Sequence, residues 1–155
     1  MTTGFDRRNE RGSDDPTDVR SIAVSVDDVV TALEARQRAD EPTVIRVTPP
    51  FAGRMRGRLH VVGGEGASDG DAEPIHVEPA AFVGADVGAV PTVDETEDEL
   101  RERGTYSVEH HRDYHEAAVA SWREAVRSAL RDRVTVETPA GTHTLDVKYL
   151  GDRHE

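Results

Sequence analysis

The chain is 155 residues long and carries 31 acidic against 19 basic residues, for a formal charge of -12 and a pI near 5.0. This length suits one compact domain, and a cysteine count of zero excludes disulfides, thiolate metal sites and a cysteine nucleophile. No apolar run approaches the roughly 20 residues of a membrane helix, and no apolar signal core stands at the N-terminus. A soluble cytoplasmic protein without a membrane partner is expected.

In chain order, residues 1–20 hold nine charges and few apolar anchors, which predicts a disordered arm. A short strand follows at Ser21–Val24. Ser25 then reads as an N-cap, with Asp27 and Asp28 in the first turn and Val26, Val29, Val30 and Leu33 on one helical face. Glu41-Pro42 ends that helix. Thr43–Thr48 and Arg54–Val62 read as a hairpin around PPFAG, with Pro49-Pro50 arguing against a tight two-residue turn.

Gly63–Glu73 reads as a flexible loop and Ile75–Val77 as a short strand. Thr92 and Glu95 form a capping box for an acidic helix ending near Gly104, and Ser107 caps a longer helix to about Arg131. In that helix Glu109, Asp113 and Glu116 lie early, whereas Arg123, Arg127 and Arg131 lie late, as the helix dipole prefers. Residues 134–150 close the chain as a hairpin turning near Ala140-Gly141. The expected fold is α+β: a small mixed or antiparallel sheet of five to six strands with three helices, one of them long (107–131). It forms a single domain over 21–151, with a tail at 152–155.

Of the 19 bases only Lys148 is lysine; the rest are arginine. This composition resembles that of proteins from salt-accumulating haloarchaea, and it implies habitat rather than activity. A Debye length of about 3 Å at 1 M salt removes most repulsion among surface acids. The segments TPPFAGRMRGRLHV and PIHVEPAAF resemble a haloarchaeal family of domains of unknown function. That resemblance spans about Ser21 to Leu150 and implies no catalytic or binding residue.

The strongest local anomaly is arginine placement. From Pro42 to Gly64 there is no acid, yet Arg46, Arg54, Arg56 and Arg58 all fall there. Strand alternation puts Arg54, Arg56, Arg58 and His60 on one face, about 6.6 Å apart in succession. Such a row can follow phosphates or partner carboxylates, or it can pair with the protein's own acids, the Asp94–Arg103 helix among them. Four phosphate contacts at about -0.9 each lose on the order of four decades of affinity in multimolar salt. An acidic protein or a small anion, held bidentately by arginine, therefore suits the hairpin better than nucleic acid. Phe51 is expected at an exposed hairpin tip as an apolar contact.

The second candidate is HHRDYHE. His111 and His115 are four apart, so one helical face could offer both to a divalent metal such as zinc, with His110 or Glu116 around the helix. The zinc-protease pattern fails, because Arg112 follows the first histidine and Tyr114 precedes the second. The same two histidines also continue the apolar stripe Val108, Val119, Trp122, Val126, which makes packing the simpler role. An enzyme built here needs Tyr106 or Tyr114 nearby and a third ligand from His60, His76 or His143. GEGASDG misses the dinucleotide fingerprint, and neither a nucleophile elbow nor a P-loop occurs. The leading expectation is a non-catalytic interaction module without a cofactor; a metal protein and a nucleic-acid accessory protein are the alternatives. The last requires a continuous basic surface from the hairpin to Arg123, Arg127 and Arg131.

Overall fold

A computed structural model describes residues 12–38, 41–63 and 73–151. In order these form β1 (Ser21–Ser25), α1 (Val26–Arg38), β2 (Thr43–Val47), β3 (Arg54–Arg56), β4 (Arg58–Val61) and β5 (Ile75–Val77), then α2 (Val93–Glu102), α3 (Val108–Ser128), β6 (Arg133–Thr138) and β7 (Gly141–Leu150). The fold is α+β with three helices, as expected. Its seven strands divide into a four-stranded sheet, β3-β1-β7-β6, and a three-stranded sheet, β4-β2-β5. Strand β1 is parallel to both β3 and β7, while the other pairs are antiparallel. Because β5 returns beside β6, the two sheets wrap one core.

Alternation explains that core. Ile22 and Val24 of β1, Ile45 and Val47 of β2, Val134 and Val136 of β6, and Leu145 and Val147 of β7 point inward and are buried. Val26, Val29, Val30 and Leu33 of α1 close over them at helical spacing, and Trp122 and Val126 of α3 complete the packing. The caps read from sequence form as expected. Ser25 accepts from the Asp28 N–H at 3.4 Å, the Thr92–Glu95 box closes in both directions, and Ser107 accepts from the His110 N–H. Arg123 and Arg127 of α3 reach across to Glu34 and Asp27 of α1 and seal that helix pair.

The hairpin is real but shared between sheets. Thr43 pairs with Val61, Ile45 with Leu59 and Arg46 with Arg58, whereas Arg54–Arg56 run alongside β1 instead. Gly57 is the corner between the two pairings. Its N–H donates to the Ala23 carbonyl at 2.8 Å, and a Cβ there would lie 2.7 Å from Ile45 Cγ2 and 3.2 Å from Val24 Cγ2. Only a residue without a side chain lets one continuous strand cross from sheet to sheet this close to the core.

Order begins earlier than the sequence suggested. Within residues 12–20, expected to be a disordered arm, Pro16–Asp18 make a 3-10 turn capped by Asp15, Val19 is fully buried, and Ser13 pairs with Phe51. The rest of that arm (1–11), residues 64–72 of the expected loop and the tail 152–155 lie outside the described residues. The segment after β5 forms two 3-10 turns, Pro79–Phe82 and Ala85–Val87. The first of them buries Phe82.

Gly57→Ala is expected to cost about 1–3 kcal/mol through overpacking against Ile45 and Val24. A lowered urea midpoint checks it; an unchanged midpoint would show that the corner has room to spare.

Candidate anion-recognition face

On the outer face of the three-stranded sheet, antiparallel register places Arg46 between Arg58 on β4 and His76 on β5, with His60 diagonal to it. The Arg46 guanidinium leans on His60, with Nη1 3.1 Å from Nε2 and 3.3 Å from Nδ1. The His60 and His76 rings lie 5.7 Å apart between centroids. Arg46 Nε is buried and has no hydrogen-bond partner. Two cations and two imidazoles thus converge on one sheet face.

Arg54 and Arg56 continue the row on the other side of the corner, exposed on the outer face of the four-stranded sheet. Among the described residues none of Arg46, Arg54, Arg56 and Arg58 makes an ion pair. Pairing with the α2 acids, the self-neutralising reading of the row, does not form; Glu97 instead binds Arg101 and Glu99 accepts from Tyr114.

Phe51 is corrected. It is 0% exposed, and its backbone exchanges two hydrogen bonds with Ser13. The turn after β2 folds back onto Ser13 through an isolated bridge and the ring is buried in the core, so Phe51 offers no surface contact.

The histidine pair also finds its place. His111 Nε2 and His115 Nδ1 lie 2.8 and 3.0 Å from the hydroxyl of Thr96, a residue of α2 only 2% exposed. That hydroxyl donates back to the α2 carbonyls, with Val93 O at 3.1 Å, so it accepts from both rings. The pair is a polar latch between α2 and α3. Burial first, then Arg38 and His111, pushes the His115 pKa below its ordinary value of 6.5. The third ligand that a metal centre needs is not brought in. His60 and His76 sit on the three-stranded sheet, His143 bonds the Val19 carbonyl at 2.6 Å, and His110 turns to the Thr105 carbonyl. Among the described residues no three His, Cys, Asp or Glu side chains are grouped to hold a metal. Tyr106 does lie beside the pair, its ring 5.7 Å from that of His111 between centroids, but it is stacked beneath Arg101, and Tyr114 donates to Glu99 at 2.6 Å. The apolar stripe fails at its start, where Val108 is 68% exposed.

Two of the three arginines of the basic row are neutralised, and the third, Arg131, lies beyond the end of α3 at Ser128. Glu34 holds Arg123 through two hydrogen bonds, which keeps its own carboxyl below the usual range, and Asp27 holds Arg127. A continuous basic surface from the hairpin to α3 is therefore interrupted. A surface depression of about 760 Å³ lies at the entry to β1 and mixes Asp14 and Asp18 with Arg20. It contains none of the predicted arginines.

Alternation in β7 exposes a cation that the sequence reading passed over. Lys148 is separated from Arg56 only by Ala23 of β1. Its outward position was readable from the DVKYL alternation, but its neighbour across β1 was not.

Fold and face together define a small α+β domain whose two wrapped sheets present a cationic outer surface. The chain belongs to a family known as a domain of unknown function, DUF8009, whose model matches residues 8–151. No curated protein and no solved structure matches it. Among the described residues no helix is long and apolar enough to cross a membrane.

Two outcomes follow from these placements. Phe51→Ala is expected to destabilise the protein by about 3–5 kcal/mol, read as a lower urea midpoint, rather than to remove a surface contact. His115 is neutral in the fold, so its contribution is fully present above 6.5 and is lost as pH falls through 6.5 toward its lowered folded value. His115→Gln should flatten urea midpoints measured from pH 7.5 down to 5; an unaltered slope would remove His115 as the source.

Proposed function

We propose that this protein is a non-catalytic binding module that uses its arginine hairpin to engage an acidic protein or a small anion. The observation that carries the reading is Arg46, a half-buried guanidinium whose Nε has no hydrogen-bond partner. Leaving a buried charged donor unsatisfied is costly. A carboxylate or phosphate that reaches the Nε edge as the half-buried side chain turns toward it satisfies two donors at once, in the fork geometry arginine favours. Arg58 stands beside it in register to share the charge, and Arg54, Arg56 and His60 extend the surface along the same strand. The setting that suits this reading is cytoplasmic, with the acidic remainder of the surface adapted to high salt.

The test uses inorganic phosphate and poly-L-glutamate as probes. Phosphate titration is expected to shift the Arg46 Nε–H resonance in NMR spectra, and Arg46→Gln to abolish the response. The triple variant Arg54→Ser, Arg56→Ser, Arg58→Ser should lose retention on immobilised poly-L-glutamate while keeping its stability within about 0.5 kcal/mol, as exposed substitutions do. A protein that neither responds to phosphate nor binds poly-L-glutamate would overturn the proposal. Stoichiometric zinc in the purified protein, lost on His111→Ala, would move the site to the α2–α3 latch.

A further inference from the structure

We infer that the outer face of β1, walled by β3 and β7, seats an extended acidic polypeptide segment with acidic side chains at alternate positions. This rests on the proposed function above and names its partner's form. Register sets Ser21 between Arg54 and Asp146, and Ala23 between Arg56 and Lys148. Neighbouring strands are about 4.8 Å apart, so the Arg56 and Lys148 backbones stand about 10 Å apart with one methyl between them. Long cationic side chains thus flank a floor of small ones.

The charges on this face are unequal. Arg54, Arg56 and Lys148 make no ion pair among the described residues, and Asp146 is taken by Arg133 at 3.3 Å. The other outward acid of the sheet, Glu137, lies near the β6–β7 turn and accepts from Thr142. Toward the opposite end Leu150, 42% exposed, sits beside Ser25 and offers an apolar contact.

Spacing selects the partner's form. Outward side chains along β3 repeat at about 6.6 Å, which is also the repeat of alternate side chains in an extended peptide. Single-stranded nucleic acid has a comparable charge repeat, but its sequence-tolerant binding draws on aromatic stacking. The outward residues of β1, β3 and β7 on this face are Ser21, Ala23, Ser25, Arg54, Arg56, Thr142, Thr144, Asp146, Lys148 and Leu150, with no aromatic ring among them. Charge complementarity without a stacking platform favours the peptide.

Fluorescence anisotropy decides between them, using a labelled peptide of alternating Glu and Ser, one of the same composition with its Glu residues in a block, and an oligo-dT of matched charge. The alternating peptide is expected to bind tightest. Lys148→Glu should weaken it by about fivefold or more, the scale of about 1 kcal/mol for an exposed charge pair. Ala23→Leu, which fills the floor, should weaken it with the urea midpoint unchanged. Equal affinity for both peptides, tighter binding of oligo-dT, or indifference to Lys148→Glu would each overturn the inference. If Arg46→Gln still abolishes the phosphate response in that case, the hairpin reading stands and only the β1 seat falls.

Discussion

The close approach of Gly57 to Ile45 and Val24 is the constraint on which the architecture turns. One strand serves two sheets because its middle residue has no Cβ to hold them apart. On one side of that residue the backbone bonds to β1, and on the other it pairs with β2. The corner keeps the pleat, so Arg54, Arg56 and Arg58 stay outward while the path of the strand changes. A fold requirement at a single glycine thereby sets where the cations of both sheets meet.

Charge is distributed by topology rather than by composition. Acids outnumber bases, yet among the described residues none of the strand partners in register with the hairpin arginines is acidic. Arginines on α3 meet acids because α1 lies antiparallel beside them, with Glu34 and Asp27 in reach. The hairpin arginines lie on strands whose neighbours contribute Ser, Ala, His and one another. An ion pair needs a partner at the right register, and surplus acid elsewhere in the chain does not supply one.

The α2–α3 pair shows the same principle with histidine. Two imidazoles four residues apart share a face in any helix, and sequence spacing alone fits a metal as well as it fits packing. Thr96, arriving from the preceding helix, supplies one hydroxyl to both rings and so turns the pair into a joint between helices. Its burial removes water as a competing partner and favours neutral imidazole at His115.

Local chemistry determined much of what could be read from the sequence: helix caps at Ser25, Thr92 and Ser107, the apolar face of α1, the closing hairpin at Gly141 and the outward row of arginines. Each depends on residues within a few positions of one another, so spacing carries the information. Tertiary structure alone decided the rest. Phe51 sits beside two prolines in a connection whose local pattern marks a turn, and its pairing with Ser13 accompanies its entry into the core. Val19, the anchor of a segment rich in charge, is buried by the sheet that forms after it. Lys148 and Arg56 lie far apart in the chain and become neighbours across Ala23 only because β1 pairs in parallel with both their strands. Parallel pairing joins segments through long connections, and no local period in the sequence records which strands will meet.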